Sequence, residues 1–141
     1  MSVNRDSMVI VANDLRSTYG PSYIVEQLYK QAKVSWNNAI IESLRTVGEV
    51  QLLKWKENFY FFAIDADPKI RYERVVLRGS ETDKVSYDEF ISNEQREMEN
   101  TDPTKQNVAK CMQLADHIFT NNWTVEELNA QIETIIAQFN I

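Results

Sequence analysis

The chain has 141 residues, of which 43% are hydrophobic and 26% charged, as in a globular protein with one core. Its net charge of −6 argues against a general nucleic-acid-binding protein, whose affinity would rest on neutralising phosphates. A single cysteine, Cys111, excludes an internal disulfide and fits a buried hydrophobic position. No apolar run approaches the ~20 residues of a membrane span, and the start MSVNRDSM lacks a signal-peptide core, so we expect a cytoplasmic protein.

The first predicted elements are two helices joined by a tight bend. Asp6 or Ser7 is expected to cap the first helix, Gly20 to close it and Pro21 to open the second. Arg16 is a lone cation near the end of the first helix. Two interpretations of it stay open: a solvated charge that is favourable at a helix carboxyl end, or a ligand for an anion.

The next predicted element is a short buried strand, AIIES, at residues 39–43. Glu42 ends this strand and Arg45 follows it, before a helix from about Val47 to Trp55. A carboxylate at that position can hold Mg²⁺ through water or orient an attacking oxygen, and an arginine can bind a phosphate with two nitrogens. A plain surface ion pair is the equally open alternative.

The central segment, residues 58–79, is predicted to form a parallel α/β unit. Its run Phe59 to Ala63 is continuously apolar, which predicts a strand buried on both faces. Asp67 and Pro68 then favour the start of a helix that carries arginines on its polar side and stops at Gly79. Because parallel sheets bind ligands at the carboxyl ends of their strands, we expect the functional site after this strand.

The rest of the chain predicts a charged helical excursion, another helix, a third strand and a last helix. The excursion contains an amphipathic helix from Ser86 to Met98, the strand lies in ADHIFTNN at residues 115–122, and Thr124 begins the capping box of the last helix. Strands separated by helices imply a parallel sheet with right-handed crossovers. The predicted fold class is therefore α/β.

Four segments resemble the P-loop nucleoside monophosphate kinase group, above all its archaeal adenylate-kinase-like and dephospho-CoA-kinase-like proteins. They are ANDLRSTYGPSYIVEQL, AIIESLRTVGEVQLL, FYFFAIDADPKIRYERVVLRG and ADHIFTNNWTVEEL. The resemblance implies a three-layer parallel sheet flanked by helices. It also implies one nucleotide-kinase-like domain over residues 1–141, with acceptor-binding helices at about 1–35 and a lid-like helical excursion at about 78–103.

The same resemblance implies roles for individual residues. Arg16 and Arg45 would bind the phosphate of a small acceptor, a nucleoside monophosphate or a dephospho-CoA-like molecule. Glu42 would lie near Mg²⁺ and the attacking oxygen.

The remaining implied roles concern ATP and the phosphoryl group that it donates. The arginines of the lid would stabilise the phosphoryl group during transfer: Arg74, Arg78 and Arg96. The turn Asn121-Asn122-Trp123 matches the place where the family holds a nucleotide base.

The chain departs from the family pattern where ATP phosphates would be held. Its three glycines do not form G-x-x-x-x-G-K-[ST], the loop whose backbone N–H groups and lysine contact the β- and γ-phosphates. In the family, this P-loop and the strand before it precede the first matching segment. We therefore expect weak or absent kinase activity, and the alternative is a kinase-derived module that binds a ligand or itself without catalysis. A purely helical interaction protein would not explain the three buried strands.

The strand that precedes the P-loop is central in the family's sheet, between the AIIES and FYFFAI strands. Without it, two apolar strand edges would face a gap. We therefore expect either a rearranged sheet, a homo-oligomer, or a strand supplied by another chain.

Overall fold

The computed structural model describes residues 4–35, 38–80 and 83–139. Within these ranges the chain forms seven helices and two strands, which makes it an α/β protein, as predicted. In order they are α1 (Arg5–Tyr19), α2 (Tyr23–Val34), α3 (Val47–Lys54), β1 (Phe62–Asp65), α4 (Pro68–Arg78), α5 (Tyr87–Met98), α6 (Val108–Gln113), β2 (His117–Thr120) and α7 (Val125–Phe139). None of these helices combines the length and the apolar composition needed to cross a membrane.

The two strands pair directly and in parallel. Phe62 lies beside His117, and Asp65 lies beside Thr120. Parallel pairing requires a long crossover between the strands, and α4, α5 and α6 supply it. The predicted parallel arrangement is thus confirmed, although the sheet contains only these two strands in the described part of the chain.

The prediction of a strand at residues 39–43 is wrong. This segment has no regular secondary structure, Ile40 is 95% exposed, and Ser43 turns the chain with a left-handed φ of 66° before α3. A strand is stable only when neighbouring strands bond its backbone and cover its apolar face. No strand of the described ranges lies beside these residues, so their β pattern has nothing to pair with.

The prediction that β1 is buried on both faces is also wrong. The strand begins at Phe62 rather than at Phe59, and Ile64 is 56% exposed although Ala63 is buried. The physical reason is incomplete cover of the sheet. A strand is buried on both faces only when other elements pack on both, and Ile64 is left uncovered on the face that carries Phe62.

The helix starts follow from capping side chains. Asn4, rather than Asp6 or Ser7, caps α1: its Oδ1 accepts a hydrogen bond from Ser7 N at 2.8 Å, and Asn4 N donates to Ser7 Oγ at 3.0 Å. Asp67 caps α4 as predicted, because its Oδ1 accepts from Lys69 N at 2.9 Å. These caps fix where each helix leaves the preceding turn.

The core lies between the sheet and the short helices α3 and α6. Val50 and Leu53 are fully buried there, and Phe61 packs against Val50. Phe119, which is 2% exposed, is buried on the other face of the sheet, beside Phe62. Cys111 is also buried, as predicted, and burial raises the pKa of its thiol to about 11. The thiol therefore stays protonated at neutral pH and contributes to packing.

Replacing Phe119 should show that β2 is anchored by one face only. We expect Phe119→Ala to lower the free energy of unfolding by about 3–5 kcal/mol, since it empties a buried site beside Phe62 and His117. Ile118→Ala, at the neighbouring position with 45% exposure, is the control and should cost less than about 2 kcal/mol. Urea unfolding of both variants measures the difference, and equal losses would contradict this account of the core.

Candidate functional site

Two turns meet at the carboxyl edge of the sheet. Asn121 N donates to the carbonyl oxygen of Asp65 at 2.7 Å, and Asp67 N donates to Asn122 Oδ1 at 2.7 Å. The turn after β2 is therefore fixed to the turn after β1. This is the edge at which parallel sheets present ligand-binding groups.

Arg74 joins helix α4 to the turn Asn121-Asn122-Trp123, where the resemblance to the kinase group implies a base-binding role. Its Nη1 donates to the carbonyl oxygen of Asn121 at 2.6 Å, and its Nη2 donates to that of Trp123 at 3.0 Å. The Trp123 side chain is 59% exposed beside this contact. Since both acceptors are neutral carbonyls, they bond the guanidinium without neutralising its charge.

Arg71 is a residue of this edge that the sequence analysis missed. Its guanidinium forms a two-pronged ion pair with Glu94 of α5 at 2.8 and 2.7 Å, and its Nη1 also reaches Asp65 Oδ1 at 2.8 Å and the carbonyl oxygen of Ala66. The bonds to Glu94 raise the pKa of Arg71. One signal was available in the sequence, because Arg71 precedes Arg74 by three residues and therefore shares its helix face.

A second cluster of charges forms around Glu49, on the helical side of the molecule. Glu49 is 1% exposed. Its Oε1 accepts a hydrogen bond from Nε of the buried Arg16 at 2.9 Å and lies 2.9 Å from Nη2 of the same guanidinium. Its Oε2 accepts from the backbone N–H groups of Arg45, at 2.8 Å, and Thr46, at 3.0 Å. Glu49 therefore contacts both arginines predicted to bind an acceptor phosphate, Arg16 through its guanidinium and Arg45 through its backbone N–H.

The cluster continues through Glu97, which is 6% exposed on α5. Arg45 Nη1 pairs with Glu97 Oε2 at 2.7 Å and contacts Gln106 Oε1 at 3.2 Å, while Arg5 pairs with Glu97 Oε1 at 2.9 Å. Three arginines thus surround two carboxylates. Sequence analysis missed both glutamates and Arg5, although Thr46-x-x-Glu49 is a capping-box pattern that could have located Glu49.

Two buried atoms of this region have no hydrogen-bond partner in the part of the chain that the structure describes: Arg16 Nη1 and Asn13 Oδ1. Both side chains project from α1, three residues apart, and so lie on one side of that helix. A buried donor without a partner costs about 1–3 kcal/mol. An acceptor placed against Arg16 Nη1 would offset this cost.

The other predicted site residues are engaged elsewhere. Arg78 forms a two-pronged ion pair with Asp83 at 2.7 Å, and Arg96 pairs with Asp6 at 3.1 Å. Glu42 is exposed in the segment before α3. Within the described ranges, His, Cys, Asp and Glu side chains form no group of three suited to holding a metal ion.

Comparison with known proteins gives relatives but no family model. No family model matches the chain. It is similar to the UPF0200 protein PH1008 of Pyrococcus horikoshii, at 29% identity over 102 residues that cover 70% of this chain and 52% of that protein. It is also similar to a UPF0200 protein of Methanococcus vannielii, at 29% identity over 95% of this chain and 73% of that protein. A UPF0200 protein of Staphylothermus marinus is 22% identical over 89% of this chain and 63% of that protein. The chain thus spans between about half and three quarters of these relatives.

Removing the buried Arg16 should destabilise the protein, because it would leave the buried Glu49 carboxylate without its cation. We expect Arg16→Met to lower the free energy of unfolding by about 3–5 kcal/mol. The exposed pair of Arg96 with Asp6 is the control, and Arg96→Met should cost less than about 1 kcal/mol. Adding Glu49→Gln to Arg16→Met should restore part of the loss; a double variant less stable than Arg16→Met would contradict the explanation.

The Arg78–Asp83 pair should make stability depend on pH in the acid range. Hydrogen bonds from Arg78, and then from Ser80, hold the pKa of Asp83 well below its usual value. Because the folded pKa is the lower one, the stabilisation is present above the unfolded pKa of about 4 and is lost as the pH falls. Between pH 6 and pH 3 the wild type should therefore lose more thermal stability than Asp83→Asn, with the exposed Asp14→Asn as control. Equal losses in the wild type and Asp83→Asn would contradict this.

Proposed function

We propose that this chain binds the phosphate group of a small phosphorylated molecule, a nucleoside monophosphate or a dephospho-CoA-like compound, through Arg16 and Arg45. One observation carries the proposal: in the part of the chain that the structure describes, Nη1 of the buried Arg16 has no hydrogen-bond partner, and the Glu49 carboxylate that binds this guanidinium also accepts from the backbone N–H of Arg45. A phosphate oxygen is a strong acceptor for such a nitrogen, because charge-assisted bonds to guanidinium groups are about twice as strong as neutral ones.

The charge of the cluster supports an anionic ligand. Arg5, Arg16 and Arg45 together carry one more charge than Glu49 and Glu97. The side chains of Arg5 and Arg45 are 35% and 40% exposed, so part of this positive charge is accessible from solvent. Glu49 and Glu97 hold the guanidinium groups in place, which lowers the entropy lost when a ligand binds.

The role that this site would serve is the acceptor side of a nucleotide-kinase-like phosphotransferase. In that proposal the two strands correspond to two strands of a P-loop-kinase-like, three-layer parallel sheet with helices on both sides. Arg74 and the Asn121-Asn122-Trp123 turn would bind nucleotide, and Arg78 and Arg96 would contribute charge after movement of the lid-like segment. Phosphoryl transfer from ATP with Mg²⁺, near Glu42, is proposed only for a protein that also supplies a site for the donor phosphates.

A second candidate is a kinase-derived module that binds a ligand or itself without catalysis. The observation that favours it is the exposed edge of β1, where Ile64 is 56% accessible. Both candidates share the phosphate site and differ in whether chemistry follows binding. Phosphoryl transfer by the chain in the presence of Mg·ATP separates them.

Titration with adenosine monophosphate tests the phosphate site, read from tryptophan fluorescence and repeated with adenosine. We expect saturable binding of the monophosphate and at least tenfold weaker binding of the nucleoside. Arg45→Gln should weaken monophosphate binding about tenfold or more while leaving the fold intact, because Arg5 still pairs with Glu97.

The matched control is Lys105→Gln, which removes a half-exposed cation whose nearest carboxylate oxygen, on Asp102, lies 4.0 Å away. It should leave binding unchanged. Equal binding of adenosine and its monophosphate would show that the phosphate is not recognised. Equal weakening by both variants would show that only net charge matters, and either result would contradict the proposed site.

A further inference from the structure

The outer edge of β1 offers unpaired backbone groups. Asp116 N donates to the carbonyl oxygen of Phe61, and Asn121 N donates to that of Asp65, so alternate residues of this strand face β2. The backbone groups of Phe62 and Ile64 point the other way, because direction alternates along a strand. No other strand in the described ranges lies on that side.

The apolar part of this edge carries no charged or proline side chain of the kind that protects exposed strands. Phe62, Ala63 and Ile64 are uncharged, and the charge of β1 is on its last residue, Asp65. By contrast, Thr120 at the end of β2 already has both backbone groups bonded, since Gln131 Oε1 accepts from its N–H at 3.3 Å and Gln131 Nε2 donates to its carbonyl oxygen at 3.0 Å. The edge of β1, unlike the Thr120 end of β2, can therefore accept a further strand.

The accessible surface of the chain is larger than that of a compact monomer of the same mass. A compact monomer of 16.5 kDa exposes about 7,500 Å². This chain exposes 9851 Å², which is about 2,300 Å² more. Obligate homodimers bury upwards of about 2,000 Å² in total, or about 1,000 Å² on each subunit, so the excess is large enough for one such interface.

We propose that the partner is a second copy of this chain, paired with the first by antiparallel contact of the two β1 strands about Ala63. In this register Phe62 of each copy lies opposite Ile64 of the other, and both side chains belong to one face of the sheet. Four backbone hydrogen bonds would form between these two residue pairs. Asp65 lies opposite Phe61 and not opposite its own copy, so no like charges meet.

The symmetry of this arrangement closes the assembly. A two-fold axis through the shared edge makes one sheet of four strands, in the order β2, β1, β1, β2, and leaves no unpaired β1 edge. Phe139 of α7 contacts Tyr60 and Phe62, so α7 lies on the face that carries Phe62 and Ile64. The second copy would bring its own α7 to that face, where the apolar residues of α7, none of them fully buried, can pack. The dimer does not depend on phosphate binding.

Sedimentation equilibrium of the 141-residue chain over a wide concentration range tests the proposal. We expect a dimer with twice the 16.5 kDa mass of the chain. Ile64→Lys should raise the dissociation constant at least tenfold, because it places two charges in the shared edge. Ile118→Lys is the matched control: Ile118 is 45% exposed on the opposite face of the sheet, and the variant should remain a dimer.

Hydrogen exchange of the wild type gives a second test that requires no variant. In the dimer the amides of Phe62 and Ile64 should be protected, and dilution should remove that protection while the amide of Ala63, which faces β2, stays protected. A chain that is monomeric at every concentration overturns the proposal. So does a dimer with freely exchanging Phe62 and Ile64 amides, or a monomer in which these amides become protected only when a strand of another protein is added.

Discussion

The buried carboxylate of Glu49 is the interaction on which the arrangement of the helices depends. It accepts from two nitrogens of Arg16 and from the backbone N–H groups of Arg45 and Thr46, so both of its oxygens are fully engaged. A carboxylate removed from water is tolerated only when its charge and its lone pairs are satisfied in this way. Any displacement of α1 from the start of α3 would leave Glu49 or Arg16 uncompensated, which fixes these helices relative to each other.

The same bonds prepare the candidate site. Glu49 occupies one edge of the Arg16 guanidinium, and Nη1 has no partner among the residues that the structure describes. Glu97 holds the partly exposed Arg45. An arginine held by one carboxylate can still bind an anion through its remaining nitrogens, since the guanidinium has five donors. The cluster thus has a structural role and a proposed binding role that use different atoms of the same side chains.

Local sequence patterns predicted the elements whose partners are close in the chain. Patterns of a few residues gave three helix starts, at Asp67–Pro68, Ser86 and Thr124. Connection length gave the parallel direction of the FYFFAI and ADHIFTNN strands. The AIIES strand failed for the opposite reason. Its apolar run is a genuine β pattern, but strand formation depends on a neighbour elsewhere in the sheet, and that information is not contained in the segment itself.

The candidate site was predicted in part for a similar reason. Arg16 and Arg45 were singled out by their positions near element ends and by resemblance to the kinase group. Glu49 and Arg71 had only local signals, a capping-box pattern and a shared helix face, which do not show what these side chains bind. Glu97 is recognisable only once helices distant in sequence are brought together. Glu97 lies 52 residues from Arg45, and no local spacing rule connects them. The sequence reveals which residues can carry charge at a site, and the packing of α1, α3 and α5 decides which of those charges meet. The proposed phosphate site, around Glu49 and Glu97, and the proposed dimer surface, at the edge of β1, therefore lie in separate parts of the fold. Binding of a phosphate and pairing of a strand can each be present or absent without the other.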